Sequence, residues 1–230
     1  MLARFPHADG THRQRSDAPR THEFRLQDPD TWCHPPLGGR SVVWTFPAAP
    51  VGLVQRFHEA MLAQVSALIV LGSTSAYRLP PSGEPAEATA TVDESSPLDT
   101  DQPRVAAEEW LRTRGATILQ LAGIFGPGRD PAAWLQAGRI RDGAKIVNLV
   151  HVDDVVHVIA HVLAHPLPGQ RINVGNGEPV AWRTLAATMK RQGRVAQDLP
   201  LAGSGSQTHG KRVDVRRLQA LLPGHAFRRP

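Results

Sequence analysis

The sequence predicts an α/β fold, a doubly wound parallel sheet. Three observations predict it. Across the middle of the chain, apolar runs of strand length alternate with amphipathic runs of helix length. The strand-like runs, such as Ala67-Leu68-Ile69-Val70-Leu71, are continuously apolar, as in strands buried on both faces. Glycine and proline punctuate their ends.

The elements follow in order. Residues 1–21 show no periodicity and form an irregular lead-in. Residues 22–26 suit a short strand, and 28–32 a turn or helix start. Residues 38–46 read as a strand of β-branched and aromatic residues after a glycine pair, ended by Pro47 and Pro50. Residues 51–64 form an amphipathic helix with Leu53, Val54, Phe57, Met61 and Leu62 on one face. The buried strand from Ala67 runs into Gly72 and three hydroxyls, Ser73, Thr74 and Ser75, and then Tyr77, the only tyrosine. Residues 78–103, rich in Pro, Ser, Thr and acids, are expected to be a long loop. A helix over 104–115 ends at Gly115, where a left-handed cap is permitted. Residues 116–123 form another buried strand, 124–130 a tight loop, and Pro131 opens a short helix. Residues 145–152 form one strand, followed by a helix capped by Asp153 or Asp154. A strand and turn over 171–180, a helix stopping at Gly193, a loop and a last short helix complete the chain.

The chain has 230 residues, 41% of them hydrophobic, enough for one α/β core. Only 5% are aromatic, so the core is expected to be mostly Ala, Val, Leu and Ile. The net charge is +5, carried by scattered arginines and only three lysines, Lys145, Lys190 and Lys211. Neither a basic stripe nor interleaved aromatics point to nucleic acid. A single cysteine, Cys33, excludes an intramolecular disulfide and a cysteine zinc cluster. No apolar run reaches the roughly 18 residues needed to span a bilayer. The arginine-rich N-terminus lacks the apolar core of a signal peptide. A cytoplasmic protein is the expectation.

Six segments in order, VVWTFPAAP, LGSTSAY, VDESSPL, AAEEWLRTRGATILQLAGIFGPGRD, VNLVHVDDVVHVIAHVL and INVGNGEPV, resemble the extended and atypical short-chain dehydrogenase/reductases, the NAD-dependent epimerase/dehydratase group. The resemblance covers roughly residues 38–222. It implies a Rossmann-like core over 22–147, lacking its first glycine-rich βα unit, and a dependent substrate-side portion over 148–230. It implies NAD or NADP as cofactor and a small polar or sugar-like substrate; a homodimer is left open as a protein partner. Ser73 resembles the family's catalytic hydroxyl. Pro47 and Ala48 match the loop passing the cofactor. Gly123, Ile124, Phe125 and Gly126 match the segment approaching the nicotinamide. Thr74, Ser75, Arg129 and His151 would line the substrate side, and on charge alone Arg13 or Arg15 would meet an NADP 2′-phosphate. The competing reading of these residues is loop geometry without a ligand.

Three departures bear on activity. The family's Tyr-x-x-x-Lys is absent, with Thr100 and Arg104 at its positions. Arginine keeps the positive charge but titrates too high to act as a base, so Arg104 is either a degenerate catalytic position or a helix-surface charge. The Gly-x-x-Gly-x-x-Gly loop that would cradle a pyrophosphate is missing, which would leave the strand over 38–46 short of a neighbour. Val147 stands where nucleotide-sugar epimerases carry an arginine, which argues against a nucleotide-sugar substrate. An oxidoreductase or epimerase-like enzyme, an inactive relative acting as sensor or scaffold, and an incomplete gene product all remain open. His157, His161 and His165 recur every fourth residue opposite an apolar face, and are read as a solvated stripe rather than a metal site. Ser73 lacks the Gly-x-Ser-x-Gly setting of a serine hydrolase.

Overall fold

The computed structural model describes residues 7–13, 20–32, 37–78, 89–196, 201 and 208–230. The elements begin with β1 (Gly10–His12), β2 (Thr21–Glu23), β3 (Ser41–Trp44), α1 (Val51–Phe57), β4 (Ala67–Ser73), β5 (Thr89–Val92) and α2 (Pro103–Arg112). Next come β6 (Thr117–Leu121), β7 (Gly123–Phe125), α3 (Pro131–Gln136), β8 (Ile146–Val147), β9 (Leu149–His151) and α4 (Val152–Ala164). The chain ends with β10 (Arg171–Val174), β11 (Val180–Ala181), α5 (Trp182–Arg191), β12 (Gly210–Val213) and α6 (Arg216–Leu221). The main sheet is parallel and four-stranded, in the order β10-β6-β4-β3. The strands β4 and β6 carry the buried apolar runs expected of the sequence; all five residues of β6 are buried. The expected α/β fold with a parallel sheet is what forms.

Two compact units divide the chain, neither contiguous in sequence. The first comprises Met1–Leu71, Thr100–Ile118 and Val162–Gln170. In it β3 pairs with β4 in parallel register, Ser41 opposite Ala67 and Trp44 opposite Val70. β3 is the terminal strand of its sheet among the described residues. Helix α1 passes into a single π-helical turn, His58–Leu62, so the expected helix over 51–64 is two helical types in succession. The core here departs from an aliphatic one. The scarce aromatics gather in it, with Phe57 ringed by Phe24 and Trp32 at 5.1 Å and Trp44 at 5.6 Å. Tilted and edge-on pairs of this kind add about 0.5–1.5 kcal/mol each beyond burial. Composition counts aromatics but says nothing of their clustering.

The second unit comprises Gly72–Asp99, Leu119–His161 and Arg171–Pro230. Four expectations are corrected in it. Residues 78–103 are not all loop, since β5 pairs in parallel with β12, Thr89 opposite Gly210 and Val92 opposite Val213. The polar flanks of Thr-Ala-Thr-Val hide the strand, and its partner is far away in sequence. The loop expected from Ile124 begins as strand β7, parallel to β9 with Gly123 opposite Leu149 and Phe125 opposite His151. The single strand expected over 145–152 is two strands in two sheets, broken at Asn148. The Asn148 amide serves neighbouring backbone, donating to the Lys211 carbonyl at 2.8 Å and accepting from the Val213 N–H at 2.9 Å. Finally, Asp153 and Asp154 lie inside the first turn of α4, and His151 Nδ1 accepts the Asp153 N–H at 3.1 Å. A histidine can cap in this way only through an unprotonated ring nitrogen. The unit's own core is Phe125, Leu135, Leu149, Trp182, Leu185 and Met189.

Candidate functional site

Strand β4 ends where its apolar run ends, and Ser73 is its last residue. Ser73 is extended, and Thr74–Ala76 turn in a single 3-10 helix behind it. The Ser73 hydroxyl oxygen accepts from the Ser75 N–H at 3.2 Å and from the Ser75 hydroxyl at 3.1 Å. Both lone-pair directions are thus engaged, and the Ser73 hydrogen is left to donate outward. Thr74 is buried, while Ser75 is exposed.

Tyr77 leaves the turn inward and is 2% exposed. Its hydroxyl donates to Asn173 Oδ1 at 2.5 Å, and the Asn173 amide nitrogen donates to the Asp214 carbonyl at 3.1 Å. Burial, above all, pushes the Tyr77 phenol well above its ordinary pKa. The only tyrosine of the chain is therefore a neutral structural donor. From the other side Lys211 Nζ donates to the Tyr77 carbonyl at 3.3 Å.

A second group of the sequence-predicted residues meets where β7 and β9 lie side by side. The Phe125 and His151 rings are 5.1 Å apart, edge to face. Arg129 Nε donates to the Ile124 carbonyl at 3.2 Å, and the Gly126 and Arg129 backbones bond each other both ways. Gly126 has φ +143°, and a Cβ there would stand 2.7 Å from Val152 Cγ1 and 3.2 Å from His151 Nε2. A Cβ on Gly123 would stand 3.1 Å from Leu149. Close approach of β9 and the start of α4 therefore accounts for both glycines without a ligand. Of these residues Phe125, Gly126 and His151 line a cleft of about 720 Å³, together with Arg194, Arg228 and Arg229; Gly123, Ile124 and Arg129 are not among its lining. That size suits a small organic ligand.

Sequence reasoning missed what holds this cleft's wall. Asp154 is 0% exposed, accepting from the Arg228 N–H at 2.8 Å, from Arg228 Nη1 at 2.7 Å and from His225 Nε2 at 3.3 Å. His225 also stacks on His157 at 4.4 Å, which accounts for one member of the histidine stripe. The paired acids of HVDD were the only available signal; nothing in the sequence pointed to Arg228.

The remaining predicted residues belong to the other unit. Pro47 is exposed and Ala48 buried after β3. Arg104 is 21% exposed and pairs at 3.4 Å with Glu108, whose side chain is 1% exposed. It is thus a largely covered helix charge rather than a free surface one. Thr100, at the tyrosine position, is exposed. Arg13 is described and exposed, whereas Arg15 lies outside the described residues.

No protein-family model matches the chain. Protein YeeZ of Escherichia coli (strain K12) is 35% identical over 129 residues, which is 53% of this chain and 44% of that protein, so the match spans less than half the relative's length. Among solved structures, a candidate NAD-dependent epimerase/dehydratase from Methylobacillus flagellatus superposes with a TM-score of 0.72 at 20% identity, covering 95% of this chain and 84% of that one. A short-chain dehydrogenase/reductase superfamily protein from Agrobacterium tumefaciens, solved with NAD bound, superposes with a TM-score of 0.67 at 17% identity, covering 98% and 87%. The chain has the Rossmann-like fold of the short-chain dehydrogenase/reductases and NAD-dependent epimerase/dehydratases.

Proposed function

We propose that the chain is an oxidoreductase or epimerase-like protein that binds NAD or NADP and takes a small polar or sugar-like compound at Ser73. The observation that carries the reading is the Ser73 hydroxyl. It closes a buried strand and accepts twice from Ser75, so it presents its proton to an acceptor such as a substrate carbonyl or alkoxide oxygen. A dinucleotide would supply hydride transfer. The cleft at Phe125 and Gly126 is of a size that suits the small-molecule end of such a ligand. The 230 residues hold no Gly-x-x-Gly-x-x-Gly loop to cradle the pyrophosphate. Arg104, held by Glu108, keeps a positive charge where the family has its lysine.

Tyr77 favours a second reading. Its phenol is committed to Asn173 and does not give up its proton at neutral pH, which suits a non-catalytic relative that binds the dinucleotide as a sensor or scaffold. Titration with NADH and NADPH, followed by melting temperature, tests what both readings share. A ligand that binds only the folded state raises the midpoint. No shift at millimolar cofactor removes both. Turnover against a panel of carbonyl compounds separates them, and Ser73→Ala then lowers kcat/KM by about 10²-fold if the hydroxyl stabilises the transition state. An unchanged kcat/KM removes Ser73 from the mechanism.

A further inference from the structure

Lys211 is a half-buried cation without a carboxylate partner among the described residues. Its ammonium has one bonding partner among the described residues, the Tyr77 carbonyl at 3.3 Å. Its strand β12 is held in place by β5 on one side and by the Asn148 amide at its carbonyl. The second cation nearby is Lys145, whose backbone is bridged to that of His209, two residues before Lys211. Lys145 is exposed and forms no ion pair among the described residues. The nearby acid, Asp142, is committed elsewhere, accepting from the Ala144 N–H at 3.0 Å and pairing with His209 Nε2 at 2.6 Å. Burial, and then the charge of Lys145, hold Lys211 below the ordinary lysine pKa. Two like charges, one of them half desolvated, cost stability unless something negative joins them.

We propose that Lys211 and Lys145 form an anion subsite beside the Ser73–Tyr77 turn, taking the phosphate group of a small phosphorylated ligand. The subsite deepens the reading above, on which it rests for the place of the substrate. Lys211 touches the carbonyl of the residue that ends the turn, so an anion held there is anchored four residues along the chain from the Ser73 hydroxyl. The ammonium is a compact point charge with two donors still free among the described residues, which suits a phosphate oxygen. A nucleic-acid backbone would call for a file of exposed cations. Lys211 is instead half covered, which favours a single small group.

The chain holds only three lysines, so each can be read separately. The purified chain is acetylated with a limiting amine-reactive ester, with inorganic pyrophosphate or with sodium chloride at equal ionic strength, and mapped by mass spectrometry. Pyrophosphate at several times its Kd is expected to cut acetylation of Lys211 and Lys145 about five-fold and leave Lys190 on α5 unchanged. An equal fall at all three lysines, or none at Lys211, overturns the proposal. Lys211→Met is expected to lose the rise in melting temperature that pyrophosphate gives the wild type. If that variant does not fold, Lys145→Met serves, with Lys211 acetylation as readout; undiminished protection of Lys211 in it overturns the pairing. Pyrophosphate protection in a chain that NADH does not stabilise supports the subsite and removes the dinucleotide reading. Stabilisation by NADH with no pyrophosphate protection does the reverse.

Discussion

The Tyr77 hydroxyl donates to Asn173 Oδ1 at 2.5 Å, tying the end of the hydroxyl turn to β10. Asn173 is 0% exposed, and its backbone N–H is taken by Glu94 Oε1 at 2.8 Å. Tyr77→Phe leaves the Asn173 carbonyl oxygen buried without its donor. Such a loss costs about 1–3 kcal/mol, read as a lower urea midpoint with an unchanged slope. Cofactor binding is expected to survive. Because the folded-state phenol titrates above its ordinary value of 10.0, the native state keeps a proton that the unfolded chain releases. The associated stability is full below pH 10 and falls as pH rises beyond it. Tyrosinate absorbance in the native chain should stay flat until unfolding. A native titration near 10 would show the phenol to be accessible.

Gly126→Ala tests why the GIFG segment carries its second glycine. The new methyl would meet Val152 Cγ1 at 2.7 Å on a backbone at φ +143°. Overpacking and strain together predict a loss of about 1–3 kcal/mol with no ligand present. A variant as stable as wild type that has lost NADH binding would move this glycine from packing to ligand contact.

Much of the fold was legible because the strands β4 and β6 announce themselves locally. Each is a run of apolar residues ended by glycine, and the helices between them bury one face at helical spacing. What was not legible depends on partners distant in sequence. Thr89–Val92 is a strand only because Gly210–Val213 lies beside it. The break at Asn148 goes with an amide that bonds the β12 backbone on either side of Arg212, and a single-residue interruption of an apolar run carries no such signal. At the site, Ser73 could be found as the polar end of a buried strand. The fate of Tyr77 could not, since Asn173 is 96 positions away. His151 was expected as a substrate-lining residue, and its Nδ1 is engaged as the cap of α4.

Asp154 gives a graded prediction. It accepts three bonds, one from backbone and two from side chains, in full burial. Asp154→Ala removes a buried charge and orphans the Arg228 N–H, for a loss of roughly 2–4 kcal/mol in urea unfolding. Arg228→Ala should cost less, because the Arg228 side chain is 46% exposed and its backbone N–H still reaches the carboxylate. The reverse order would mean that the Arg228 side chain does more than pair with Asp154.

Lys211 predicts an effect of opposite sign. Its charged form is disfavoured in the native state, so near neutral pH the wild type bears a desolvation cost that Lys211→Met escapes. As pH rises from the lowered native value toward the ordinary 10.5, the unfolded chain holds a proton that the native state has given up. Wild-type stability therefore rises through that window on account of this group, and that of Lys211→Met does not. The gap between variant and wild type should be widest near about pH 7 and narrow toward about pH 10. Tyr77 ionises on unfolding at the top of the range, but it does so in both proteins and cancels in the difference. Urea unfolding of the pair across this range measures the gap. A gap independent of pH would show that Lys211 is held by packing of its aliphatic stem alone. Repeating the series with saturating pyrophosphate should invert it, because a bound anion stabilises the ammonium only where there is one.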